Sequence, residues 1–230
     1  MKKVFLTAFT LLLAIGAYAQ DPKDWPGIKR YEDDNSKLAA PAAGETRVVY
    51  MGDSITDFWI KNDSTFFTKN NYIDRGISGQ TTSQMLVRFR EDVINLNPKV
   101  VVILAGINDI AENTGPIKLE NVYGNIVSMA QLAKAANIKV VISSVLPANK
   151  FPWRPAIIPT EKVIALNGML KDYAAKNNIV YLDYYTPMVD SEKGLPANLA
   201  ADGIHPTLDG YKMMEPMAKQ AVEQALKGSN

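Results

Sequence analysis

The chain has one histidine, His205, and an aspartate, Asp202, three positions before it in the stretch ADGIHP. Imidazole titrates near neutral pH, so it can take up and return a proton there. A carboxylate in the same turn can bond one ring nitrogen, fix the tautomer and stabilise the imidazolium that forms. Such a pair still needs a nucleophile. Ser54 offers one in VVYMGDSITDFW, directly after a β-branched and apolar run. A serine hydroxyl is a weak nucleophile unless a base stands beside it, and any histidine-dependent chemistry here must use His205. Two more blocks, GISGQT with Gly79 and AGINDI with Asn108, complete a pattern. The backbone N–H groups of Ser54 and Gly79 and the side-chain amide of Asn108 are three candidate donors for an oxyanion. Glycine at 79 leaves the backbone approachable. Each residue alone has an ordinary reading: serine caps helices, glycine and asparagine turn the chain, and a histidine before a proline can sit in a surface loop. Together they supply the parts of an acyl-transfer site.

Whether these scattered residues meet depends on the elements between them. Short β-rich runs fall at 47–51, 72–76, 99–105, 139–145 and 179–184, and KVVVILA in the third is the most evidently buried. Helical spacing marks 81–96, where Met85, Leu86, Phe89, Val93 and Leu96 share a face before Pro98. It also marks 119–136, 161–176 and 208–227. Strands alternating with helices predict a parallel sheet covered on both faces, with right-handed crossovers. Ligands bind such sheets beyond the carboxyl ends of the strands. The Ser54, Gly79 and Asn108 blocks each follow a strand, and Asp202 and His205 come after the fifth, so all are expected at one edge.

Composition narrows the possibilities. The 230 residues suffice for one sizeable domain, and 47% apolar and 21% charged residues are an ordinary globular balance. A formal net charge of +1 with no basic run gives no sign of a nucleic-acid partner or an anionic membrane. The absence of cysteine excludes disulfides and thiolate chemistry, and one histidine excludes a multi-histidine metal site, so no cofactor or catalytic metal is expected. Lys2 and Lys3, an apolar run and Ala17-Tyr18-Ala19 form a leader pattern over 1–19 with cleavage expected before Gln20. The apolar run is short for a membrane span, so the chain is expected to be exported, periplasmic or secreted. Residues 20–45 are polar and proline-bearing. They read as a surface lead-in with one short helix near 28–37, ahead of a single domain over 46–230.

The blocks GDSIT, GISGQT, GIND and DGIHP resemble, in order and rough spacing, the four signature blocks of the SGNH hydrolase superfamily, the GDSL esterases and lipases. The resemblance runs from 46 to about 225. GDSIT lacks the G-x-S-x-G elbow of ordinary α/β-hydrolases. The resemblance implies an α/β fold, a flavodoxin-like three-layer α/β/α sandwich with a five-stranded parallel sheet. It implies Ser54 as nucleophile and first oxyanion donor, Gly79 and Asn108 as second and third donors, His205 as base and Asp202 as its orienting acid. Asp53 and Asp109 are read as supporting neighbours.

Substrate signals are thinner. The loop LPANKFPWRPAIIPT, 146–160, follows the fourth strand, and its prolines stiffen it. Phe151, Trp153 and Arg154 are its candidate substrate-binding residues, or else they pack the loop onto the body. Leu195 and Leu199 bound another candidate rim segment, and Trp59 reads as core. Short loops leave little room for a lid or a deep acyl tunnel. A small acyl group is therefore expected, most naturally O-acetyl on an oligosaccharide or polysaccharide. The alternative is an esterase of the lysophospholipase, thioesterase or platelet-activating-factor-acetylhydrolase kind. An inactive glycan-binding relative would be expected to lack Ser54, His205 or Asn108, and all three are present.

Overall fold

The computed structural model describes residues 22–228, and the expected leader over 1–19 lies outside them. Five parallel strands form one sheet in the order β2-β1-β3-β4-β5. They are β1 Val48–Gly52, β2 Tyr72–Gly76, β3 Val100–Leu104, β4 Lys139–Ser143 and β5 Val180–Leu182. Every residue of β1 and β3 is buried, which explains why both read as unbroken apolar runs rather than alternating ones. Gly52 lies opposite both Gly76 and Leu104, so three strands end level and release their loops at one edge. The order reverses between β1 and β3, which opens a crevice at the switch point.

The helices are α1 Glu32–Lys37, α2 Ser54–Asn62, α3 Ser64–Asn70, α4 Thr82–Asp92, α5 Ile107–Ile110, α6 Leu119–Ala135, α7 Thr160–Lys176, α8 Tyr185–Met188 and α9 Leu208–Lys227. α2, α3 and α9 pack on one face of the sheet, and α4, α6 and α7 on the other, giving the three layers expected. Trp59 is core: its ring stacks on Phe66 at 4.8 Å and Tyr211 at 5.3 Å, while Tyr50 meets it edge-on. α2 crosses β1 and β2 so closely that a Cβ on Gly76 would lie 2.1 Å from the Asp57 amide nitrogen.

Several boundaries differ from the expected ones. β4 stops at Ser143 because the Asn167 side chain takes over the next backbone groups, accepting from Val145 N at 2.8 Å and donating to Val145 O at 2.9 Å. β5 stops at Leu182 because the Tyr184 amide turns to Ser144 Oγ at 2.9 Å. The helix expected over 81–96 ends at Asp92, and its last turn tightens into a 3-10 helix over Ile94–Leu96. α2 and α3 were not anticipated. The lead-in has a 3-10 turn, Ile28–Tyr31, ahead of α1. It docks rather than merely lying on the surface: Tyr31 is buried and its hydroxyl donates to Gly76 O.

Candidate active site

Ser54 is the first residue of α2, but the cap is Asp53, whose Oδ1 accepts from Ile55 N at 2.9 Å. The serine hydroxyl is thus free of capping duty. Its Oγ lies 2.9 Å from His205 Nε2, although 151 positions separate the two residues. His205 Nδ1 lies 2.7 Å from Asp202 Oδ2. Asp202 Oδ1 accepts from the backbone N–H groups of Ile204 at 2.9 Å and His205 at 2.8 Å. Partial burial pushes the Asp202 carboxyl up, but bonds from the His205 ring and the two amides outweigh it and hold the group at about 2. An ionised acceptor at Nδ1 favours the tautomer whose Nε2 lone pair faces Ser54. That arrangement can draw the hydroxyl proton onto the ring as the oxygen attacks an electrophile.

The floor is built from the ends of β1, β2 and β3. The Ile77 amide donates to Gly52 O at 3.2 Å, joining the first two loops. Gly79 has φ +80°, and a Cβ there would meet nothing within 4 Å. Its glycine is needed for the backbone angle rather than for close packing. Asn108 is buried, with Nδ2 donating to Gln80 O at 3.0 Å and Oδ1 accepting from Asn113 Nδ2 at 2.9 Å. These two bonds fix which way its amide points and leave it a second N–H. Asn113 also donates to Gly79 O at 3.2 Å, tying two candidate donors together.

Two further carboxyls lie beneath. Burial pushes Asp53 up to about 7, against the bond from Ile55 N and the charge of His205, and among the described residues its Oδ2 has no hydrogen-bond partner. Burial likewise pushes Asp109 up to about 6, although the Thr82 hydroxyl and amide bond it at 2.6 and 2.9 Å. Both support the floor, Asp53 as the cap of α2 and Asp109 as the anchor of α4's start. Among the described residues, no group of three His, Asp or Glu side chains could hold a metal ion.

The rim differs from the sequence reading. Trp153 does reach the site: it is 45% exposed and its ring lies 6.1 Å from the His205 ring at 27°. Phe151 does not line it. Phe151 is 1% exposed and packs under Trp153 at 5.4 Å, because the prolines around it fold the loop back onto the core. Arg154 is exposed in the same turn. Leu195 is buried and Leu199 half-buried against the core, so the first is no rim residue. Phe58 was missed. Its ring lies 5.2 Å from His205 on the side of α2, and its only sequence signal is a place one helical turn after Ser54. Asn113 and Arg88 were also missed. Arg88 shares the buried face of α4 with Met85 and Phe89, a spacing that could have flagged it.

The family model for the GDSL-like lipase/acylhydrolase family matches residues 50–213. The chain is 28% identical over 184 residues to Esterase TesA of Pseudomonas aeruginosa, covering 74% of this chain and 84% of that one. It is 26% identical over 153 residues to an acetylxylan esterase of Geobacillus stearothermophilus, covering 62% and 67%. The crystal structure of a GDSL-like lipase from Bacteroides thetaiotaomicron superposes with a TM-score of 0.86 at 51% identity, covering 87% of this chain and 99% of that one.

Proposed function

This chain belongs to the GDSL-like lipase/acylhydrolase family and is an ester hydrolase, and from that premise we propose that it removes small acyl groups, chiefly O-acetyl groups on carbohydrate, through a Ser54 acyl-enzyme. The observation that carries the reading is the hydrogen-bonded line from Ser54 Oγ through the His205 ring to Asp202 Oδ2, at 2.9 and 2.7 Å.

In the first half-reaction Ser54 Oγ attacks the ester carbonyl carbon while its proton passes to His205 Nε2. The carbonyl oxygen becomes an oxyanion facing the N–H groups of Ser54 and Gly79 and the Asn108 amide. Each such donor contributes about 3–4 kcal/mol to the transition state. Collapse expels the alcohol, which takes the proton from His205. Water repeats the sequence, releasing the acid and restoring Ser54. Asp202 stays ionised throughout.

A small acyl group on sugar is favoured by two things. The exposed Trp153 ring stands beside His205, where the leaving alcohol would lie, and a flat apolar face suits the apolar side of a sugar ring. One relative is named an acetylxylan esterase. We also assign 1–19 to a leader and place the enzyme in the periplasm or outside the cell, on the strength of the leader pattern.

A panel of p-nitrophenyl esters from acetyl to dodecanoyl, run beside acetylated xylan and pectin, tests the substrate. The expected result is a steep fall in kcat/KM beyond butyryl, with acetate released from at least one polysaccharide. A preference for octanoyl or longer, with no acetate released, would place the enzyme with the lysophospholipase and thioesterase kind instead.

A further inference from the structure

The matched family region begins at residue 50, yet the chain ahead of it is bonded to the floor of the site. Gln80 is fully buried between the two. Its Nε2 donates to Pro26 O at 2.7 Å, and its Oε1 accepts from Arg88 Nε at 2.6 Å. Its own carbonyl accepts from Asn108 Nδ2 at 3.0 Å, and it follows Gly79 directly. Next to it, Gln84 Nε2 donates to Trp25 O at 2.7 Å. Gly27 lies beside the same side chain: a Cβ at this position, where φ is +69°, would lie 3.0 Å from Gln80 Nε2.

Arg88 extends the brace. It is fully buried, and its Nη2 donates to Gly52 O at 3.0 Å and to Arg75 O at 2.9 Å, while Nη1 pairs with Asp92 Oδ2 at 2.8 Å. Gly52 ends the strand that delivers Ser54, so one guanidinium holds that strand end, the end of β2 and the Gln80 side chain. All three candidate oxyanion donors therefore hang from a single framework, and part of it belongs to the lead-in.

We propose that the lead-in segment Trp25–Gly27 and the Gln80–Arg88 pair are positioning elements of the reaction, setting where the Gly79 and Asn108 donors stand relative to Ser54. The proposal rests on the esterase reading above. Neither Gln80 nor Arg88 touches the reacting atoms. They act through the Gly79 backbone and the Asn108 amide, whose aim matters because a misplacement of about an ångström can cost about a hundredfold in rate. Uniform substrate binding, by contrast, should be little affected.

Three variants of the full chain separate the links. Gln80→Glu keeps an acceptor for Arg88 but loses the donor to Pro26 O. Gln80→Leu loses both. Gly27→Ala keeps the Gln80 side chain but crowds its amide from the lead-in side and strains the backbone there, where φ is +69°. With p-nitrophenyl acetate, kcat should fall about tenfold in Gly27→Ala and Gln80→Glu and further in Gln80→Leu, with KM within about twofold of the parent. The inhibition constant of phenylboronic acid, which forms a tetrahedral adduct on a serine, should weaken by the same factor as kcat falls. A merely structural role would lower the melting temperature and leave kcat and boronate affinity unchanged in the folded fraction, which would overturn the proposal. Should Gln80→Leu fail to fold, Gly27→Ala and Gln80→Glu decide: parental kcat in both overturns it. Ser54→Ala run alongside keeps the two readings apart. An active Ser54→Ala would defeat the esterase assignment, whereas an inactive one beside unchanged brace variants would defeat the brace alone.

Discussion

Asp53 and Asp202 are the same residue type on either side of the Ser54–His205 bond, and they have opposite environments. Asp53 is fully buried, its carboxyl accepts from just one other residue among those described, Ile55 N, and it is pushed up to about 7. Asp202 has a side chain 42% exposed, takes two backbone N–H bonds and the imidazole, and is held at about 2. Burial without partners favours the neutral acid, and partners with modest burial favour the anion. The floor, with Asp53, Asp109 and Asn108, is thus buried and shielded, whereas the rim carries the charge that an imidazolium would need. On the proposed mechanism, hydrogen bonds rather than proximity to the serine distinguish the carboxylate assigned to work with His205.

The largest effect that could break this contrast is at the centre. Ser54→Ala and His205→Ala should each lower kcat by roughly four to six orders of magnitude, and the double variant should lose little more than either single one. Steady-state and burst kinetics on p-nitrophenyl acetate check this, and multiplicative losses would mean the two do not act as a unit. The carboxylates come next. Asp202→Asn should cost roughly a thousand- to ten-thousandfold in kcat by disturbing the tautomer. Asp53→Asn, which keeps an oxygen for Ile55 N, should cost under about tenfold. Equal losses would abolish the distinction between the two acids, and a larger loss in Asp53→Asn would reverse it.

Smaller effects sharpen the picture. Trp153→Ala should raise KM for acetylated xylo-oligosaccharide roughly two- to tenfold while leaving p-nitrophenyl acetate nearly unchanged, since only the sugar would stack on it. Phe151→Leu, buried behind the rim, should instead lower thermal stability. The smallest expected effect is the pH dependence of stability. A carboxyl raised in the folded state keeps a proton that the unfolded chain has lost, so its contribution falls as pH climbs from about 4 to about 7 and then levels off. Asp202 behaves oppositely: its contribution is present above about 4 and is lost as pH falls toward 2. Melting curves of Asp53→Asn should therefore be flatter than those of the parent between about pH 4 and 7, and those of Asp202→Asn should not.

The same contrast governs what could be read from the residues. β1 and β3 are buried on both faces, so their apolar runs were legible, as was α9, whose expected span 208–227 matches Leu208–Lys227. The floor residues were legible as well, because their types are tied to strand ends whose level register brings them together. α2 and α3 were missed because each is shorter than the window of about 11 residues over which a helical repeat is counted, and they abut at the shared cap Asp63, although Ile55, Phe58 and Trp59 do keep helical spacing. The rim was the least legible part. Nothing local separates Phe151, turned into the core, from Trp153, turned out beside His205; the fold of a proline-rich loop decides it. Arg88 was overlooked because a charged helix residue ordinarily faces solvent and its bonds to the Gly52 and Arg75 carbonyls leave no mark in the sequence, although its place on the face of Met85 and Phe89 and Asp92 one turn later were there to be read.

The most direct test of the Ser54 acyl-enzyme is covalent labelling with a fluorophosphonate, followed by peptide mass spectrometry. The expected result is one adduct, formed with loss of fluoride, on the peptide containing Ser54, absent from Ser54→Ala and much slower to form in His205→Ala. A label on another residue, or labelling of Ser54→Ala at the parental rate, would contradict the account.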